Sequence, residues 1–239
     1  MNYDNSHLLF LGYDILLLNN PKNILRMKNI ISLLVCGLIF STALMAQELK
    51  DLEYVSPFHE ELAAVKKGGM WAFINTDGKL IIDYRDDLVL ASESQIACCT
   101  TDKSMSYPIF ENGRALIKKI QEGITFYGYI NSKGETVIEP DFINATHFHN
   151  NRAIIIKVSK ENLGRNELLG KNVVSYSYNE EVINSDGEAV AFLRGPINLV
   201  YDKEKMQTPP KIQSHFLGPN LVSTKSEDGT WKIQTINRK

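Results

Sequence analysis

The stretch Tyr127-Gly128-Tyr129-Ile130-Asn131-Ser132-Lys133-Gly134-Glu135-Thr136-Val137-Ile138-Glu139-Pro140 reads as a strand, a tight reversal and a returning strand. Its two tyrosines stand two residues apart, which in an extended chain puts both rings on one face. Asn131 favours the start of a turn, and Gly134 accepts the positive φ that a reversal demands. Thr136-Val137-Ile138 is too short and too β-branched for a helix and reads as the partner strand. Pro140 has no N–H for a ladder and is expected to end it.

The same pattern recurs along the chain. Trp71-Ala72-Phe73-Ile74-Asn75-Thr76-Asp77-Gly78 precedes it, and Ile183-Asn184-Ser185-Asp186-Gly187 follows. Gly78, Gly134 and Gly187 are spaced by 56 and 53 residues, a period that signals a repeat architecture. A second signature alternates with the first: an aromatic, a small or apolar residue five on, and a lysine nine on. It occurs as Phe58/Ala63/Lys67, Phe110/Ala115/Lys119, Phe148/Ala153/Lys157 and Phe216/Leu221/Lys225. Runs such as Ala115-Leu116-Ile117-Lys118 and Ala153-Ile154-Ile155-Ile156-Lys157-Val158 supply a further strand per unit. The fold expected is all-β: about four units of antiparallel hairpins, with room for one short helical turn between Asn162 and Gly170.

These residues resemble the WG repeat, also called the KWG repeat. That pattern runs aromatic-Gly, an Ile-Asp/Asn turn closed by Gly, an apolar strand, a Pro, then Phe-x-x-Gly-x-Ala-x-Val. Residues 127–140 and Phe110-Glu111-Asn112-Gly113-Arg114-Ala115-Leu116-Ile117 carry the likeness, which covers most of 54–234. The departures are specific. Ala72 replaces the glycine in the first hairpin, Tyr84 stands near the proline position, and the third unit keeps its turn but lacks the aromatic pair, with Glu180-Glu181 nearby. The last unit runs out after Trp231-Lys232-Ile233, and insertions near 91–107 and 159–176 stretch the spacing. The resemblance implies a bacterial all-β repeat protein, often extracytoplasmic, with no enzymatic activity established for the repeat itself. It makes Trp71, Gly78, Tyr127, Gly128, Gly134, Pro140, Gly187 and Trp231 structural residues of the repeat.

Ahead of the repeats lies a stretch with the order of a secretory signal. Arg26 and Lys28 precede the uncharged residues 29–47, which close on Ser41-Thr42-Ala43-Leu44-Met45-Ala46 before Glu48. Cleavage is expected after Ala46. An uncleaved span is the other reading, and both place the bulk of the chain outside the cytoplasm, because positive charge precedes the run and Glu48, Asp51 and Glu53 follow it. Residues 1–26 form a doubtful leader in front of a signal, 27–46, that is well formed from Met27. Residues 47–239 are then the β domain. Its net charge is −3, because Lys22, Arg26, Lys28, Asp4 and Asp14 go with the leader and the signal.

The whole chain has 239 residues, 44% of them apolar, enough to bury a core. A net charge of −2 argues against an electrostatic nucleic-acid binder. Three cysteines make neither a disulfide scaffold nor a zinc site; Cys98-Cys99 is either a vicinal pair or two small residues in a loop.

No Gly-x-Ser-x-Gly elbow, phosphate loop or legible Ser-His-Asp grouping is present. His147 and His149 stand two apart, as metal ligands on a strand would, but only Asp141 offers itself as a third; His59 and His215 likewise flank repeat aromatics. Glu60-Glu61 and Asp86-Asp87 read as solvated loop charge. Lys67, Lys119, Lys157 and Lys225 would form a basic stripe for an acidic glycan or protein if the units stack in register; otherwise they keep strand ends soluble. Trp71, Tyr127, Tyr129 and Trp231 read as fillers between units or as a sugar-stacking platform. The expectation is an exported, non-catalytic binding module of the cell envelope or medium. It would need no cofactor, meet a protein or glycan, and touch a membrane only through an uncleaved signal. The alternatives are a hydrolase with its site in the two inserts, and a structural envelope spacer.

Overall fold

The computed structural model describes residues 49–91, 106–168, 170–200, 202 and 204–236; the leader, the signal segment, Cys36, Cys98 and Cys99 lie outside them. Four antiparallel sheets follow one another in chain order. The first comprises β1 (Tyr54–His59), β2 (Leu62–Lys67), β3 (Met70–Asn75) and β4 (Leu80–Arg85). The second comprises β5 (Arg114–Gln121), β6 (Ile124–Asn131) and β7 (Thr136–Phe142). The third comprises β8 (Asn144–Ala145), β9 (Arg152–Asn166), β10 (Lys171–Asn184) and β11 (Ala189–Asn198), and the fourth β12 (Ser214–Gly218), β13 (Leu221–Lys225) and β14 (Trp231–Thr235). The expected all-β hairpin array is thus the observed fold.

Three reversals recur, each with the chemistry its sequence supplies. Asn75, Asn131 and Asn184 each use Oδ1 to accept two backbone N–H groups across the turn, while Gly78, Gly134 and Gly187 sit at φ of +74°, +82° and +83°. The turn after the repeat aromatic has positive φ at both central residues, as a type I′ hairpin requires: Glu60-Glu61, Asn112-Gly113 and Asn150-Asn151. Gly68-Gly69 and Glu122-Gly123 do the same at the next corner.

Strand periodicity then decides how the sheets meet. In β5, Ala115 and Ile117 pack toward the first sheet with Phe73 and Trp71, while Leu116 between them packs toward the third. In β9, Ala153 and Ile155 face the second sheet, and Ile154 faces the fourth with Val222. Each internal sheet is therefore apolar on both faces, which is why these strands read as continuous aliphatic runs instead of alternating ones. Edge-to-face ring contacts repeat at successive seams: Phe73 on Phe110 at 4.8 Å between centroids, then Tyr129 on Phe148 at 4.7 Å. At the third seam Val182 takes the ring's place beside Phe216.

Two expectations are corrected. Pro140 does not end its strand; β7 runs on to Phe142, with Pro140 in a bulge on the edge of the sheet, where its missing N–H is not needed. The stretch from Asn162 holds no helical turn. It extends β9 and β10 into a long hairpin, with Ser159 opposite Ser177 and Asn166 opposite Lys171, because Val173, Val174 and Tyr176 favour an extended chain.

The bulge also explains the glycine of the repeat. Between Tyr127↔Phe142 and Tyr129↔Ile138, four steps of β7 face two of β6; between Trp71↔Arg85 and Phe73↔Ile82, β4 takes only three. The extra residue presses the β7 backbone onto Gly128, where a Cβ would collide with the Ile138 carbonyl oxygen and lie 2.6 Å from the Pro140 nitrogen. The smaller bulge leaves space for Ala72. Gly128→Ala is expected to destabilise the fold by about 2–3 kcal/mol through overpacking, whereas Ala72→Gly costs only about 1 kcal/mol of backbone entropy. Midpoints of denaturant unfolding check both.

Candidate functional site

Stacking brings together groups that lie far apart in sequence. The Glu60 carboxylate accepts the N–H groups of Asn112 (2.6 Å) and Gly113 (2.7 Å), and Asn112 Oδ1 accepts that of Asn151 (2.8 Å). A second column links sheet to sheet through arginines: Arg85 donates to the Gly134 carbonyl and Arg114 to that of Ser185. Glu60 and Asp87, read as loop charge, are thereby committed to structure, Asp87 by holding the Arg85 guanidinium at 2.6 and 2.7 Å.

Register places the four lysines. Lys67, Lys119 and Lys157 follow Ala63, Ala115 and Ala153 at the same even spacing, and so share the leading face of successive sheets. Lys225 does not. An extra residue in the Phe216–Val222 reversal pairs Ser223 with Ile233 as Ala64 pairs with Phe73, making Lys225 the counterpart of Lys66 on the trailing face. Both carry the ammonium over an indole ring, 5.8 Å for Lys66 on Trp71 and 5.9 Å for Lys225 on Trp231. All four signature lysines are exposed.

The repeat aromatics have unequal fates. At the position of Trp71, which is buried, the second sheet has half-buried Tyr127, the third Glu180 and the fourth Trp231, 55% exposed. Glu180 is fully buried, yet its carboxylate accepts the Ser214 hydroxyl at 2.6 Å and the Gln213 N–H at 2.8 Å, with Arg194 Nη1 3.8 Å away. It clamps the fourth sheet by hydrogen bonds where its counterpart Trp71 uses apolar contact. The sequence showed only a missing aromatic.

The histidines converge on the seams. His149 Nδ1 meets the Glu111 carboxylate at 2.9 Å, His215 Nε2 meets Ser223 Oγ at 2.9 Å, and His59 Nε2 lies 3.3 Å from the Tyr107 hydroxyl. A cleft of about 560 Å³ between the third and fourth sheets is lined by His147, His149, His215, Glu111 and Phe216. A second cavity, about 710 Å³, is also lined by His147, with Leu90, Tyr127 and Ile212. His147 and His149 do not act as a pair: one is buried, the other exposed and held by Glu111. Among the described residues no three His, Cys, Asp or Glu side chains are placed to hold a metal ion.

Burial dominates His147. It is 7% exposed, and desolvation pulls its pKa down to about 4, against a smaller opposing pull from the Leu90 backbone. The folded state thus holds this imidazole neutral, while the unfolded chain protonates it near 6.5. Stability from this group is complete above pH 6.5 and is lost as pH falls toward 4, up to about 3 kcal/mol in all. His59, lowered chiefly by burial against the pull of Glu111 and Glu60, acts in the same direction. Urea unfolding at pH 7 and at pH 4.5 is expected to show a smaller acid loss in His147→Leu than in the parent.

The model of the WG containing repeat matches residues 51–71 and 127–160. No curated protein and no solved structure matches the chain. The first matched stretch takes in β1, β2 and the start of β3 with Trp71; the second runs from Tyr127 through the Asn131 turn, the bulge and Phe148 into β9. These are the segments whose turns, bulge and ring contacts recur from sheet to sheet, and in these two regions the chain carries the WG containing repeat.

Proposed function

We propose that this chain is exported by its N-terminal signal segment and works outside the cytoplasm as a non-catalytic binding module for a protein of the cell envelope, with an acidic glycan as the other ligand its lysines suit. The observation that carries this reading is the hairpin arm formed by residues 159–176. Beyond Ser159 and Ser177 the arm is a two-stranded ribbon with no third strand on either edge among the described residues. It holds Leu163 (60% exposed), Leu168 (97%), Val173 and Val174 in solvent. A lone ribbon gains little stability for itself, and its open edges can pair with a partner strand. The repeat needs none of these residues for its own packing. Lys67, Lys119 and Lys157 add positive charge along one face of the array.

Export is checked by fractionating the native cells and weighing the recovered chain. A mass beginning near Gln47 in periplasm or medium supports the reading, and a full-length cytoplasmic chain overturns it. Binding is checked by capture from the envelope fraction. Replacing residues 160–175 by Asn-Gly is expected to abolish capture of a protein partner with little change in unfolding midpoint. Alanine at Lys67, Lys119 and Lys157 is expected to abolish retention on an acidic glycan, and Lys225→Ala, on the other face, to leave it unchanged. Full retention of both activities by both variants would refute the module as described.

A further inference from the structure

The two edges of the hairpin arm differ in what they offer a third strand. Along β9 the edge is broken. Leu163 is an extra residue between the pairs Asn162↔Val174 and Gly164↔Val173, Gly164 sits at φ +113°, and its N–H is spent on Asn162 Oδ1 at 3.0 Å. A bulge of that kind, with Lys157, Lys160 and Arg165 on the same strand, keeps an exposed edge from pairing. Between Lys171 and Ser175, β10 has no positive φ, no proline and no extra residue on its side of the ladder. Strand geometry fixes which of its groups are open. The Leu199 N–H donates to the Tyr176 carbonyl at 2.8 Å, so the backbone polar groups of Tyr176 turn toward the β11 side. Those of Val174 and Asn172, two and four residues back, turn the same way. β11 ends at Asn198, opposite Ser177, and among the described residues no strand lies beside Asn172 or Val174 on that side. Val173 and Val174 are 42% and 39% exposed.

We propose that this edge of β10 is where the partner docks: an extended segment of another protein pairs with Asn172 and Val174 and lengthens the third sheet along the line that β11 leaves. The inference rests on the arm being the recognition element, and it adds to that reading the edge, the register and the kind of ligand. Two N–H donors and two carbonyl acceptors, presented in pairs two residues apart, match another extended backbone, which returns one acceptor and one donor at each pair. Neither a glycan nor a helix presents that alternation. Side chains set the preference within this class. Val174 favours a β-branched or aromatic residue opposite it, and Lys171, at the end of the run, favours an acidic one.

The test uses the full chain, isotopically labelled for amide hydrogen exchange, and the envelope extract of the native cells as the probe. Exchange is expected to slow by about tenfold or more at Asn172 and Val174 when the extract is added, with Lys160 unchanged. Lys160 reports on the other edge, because its pairing with Tyr176 turns its N–H away from β10. Val174→Pro removes an outward N–H and leaves the ladder to β9 whole; it is expected to abolish capture and to keep the parent's unfolding midpoint. Lys160→Pro is expected to capture as the parent does. Should Val174→Pro lower the midpoint, exchange in the parent decides. Slowing at Lys160 in place of Asn172 and Val174, or capture lost in Lys160→Pro and kept in Val174→Pro, overturns the choice of edge while the arm stays the recognition element. Capture kept after residues 160–175 are replaced overturns the reading of the arm itself. No slowing at any of the three amides overturns the proposal. So does the same slowing in the chain alone with a doubling of mass at sedimentation equilibrium, which makes the occupant a second copy.

Discussion

The structure depends on burial of both faces of each internal sheet. A three- or four-stranded sheet of this size cannot stand alone when its strands read Ala-Ile-Ile-Ile or Ala-Leu-Ile; one apolar face would remain in water whichever way it turned. Stacking solves this for sheets two and three at once, with odd positions of a strand going to the preceding sheet and even positions to the following one. It follows that stability here is a sum of neighbour terms. The hydrogen-bonded columns through Glu60, Asn112 and the arginines act along the same axis as the ring contacts. They fix the rotational register of one sheet on the next, which non-directional apolar burial does not do.

Within that scheme the repeat tolerates loss of its own signature residues when a neighbour compensates. Glu180 at an aromatic position would be ruinous if its carboxylate were left bare in the seam. It survives because the Ser214 hydroxyl, at the start of the next sheet, and the N–H of Gln213 just before it meet its two oxygens, and Arg194 lies within ion-pair distance. Ser214 in turn meets Thr224 at 2.9 Å, so a polar relay replaces a ring contact. The substitution of Gly by Ala at position 72 follows the same logic at the backbone level, since the bulge opposite it is one residue smaller. Local departures from the pattern are therefore coupled pairs, and neither member is readable without the other.

This coupling sets what could be read from the residues alone. Turns were legible because their chemistry is local: Asn131 and Gly134 carry the reversal between them. The sheets were legible from period and repetition. The outcome at Pro140 was not, because a bulge depends on what the neighbouring strand allows, and neither was the register flip that moves Lys225 to the opposite face from Lys67. One extra residue after Phe216 changes every facing beyond it, while the sequence pattern of Phe216/Leu221/Lys225 looks unaltered. The histidines beside Phe58, Phe148 and Phe216 were visible as a recurrence, but their convergence with Glu111 on the seams arises only from stacking.

The hairpin arm shows the same limit from the other side. Residues 159–176 look like an insertion of no definite structure, with Gly164 and Gly170 interrupting them. They are instead a continuation of the two central strands of the third sheet, past the point at which β8 and β11 stop. A ribbon of that length is held in register by its root: Ile154, Ile155 and Ile156 are fully buried, and Ser159 inherits its pairing from them. The array thus supplies a rigid base to an element that carries exposed leucine and valine and contributes nothing to the repeat core. The scaffold's own apolar residues are consumed by its seams, so the exposed leucines and valines of the arm form a surface separate from the repeat core.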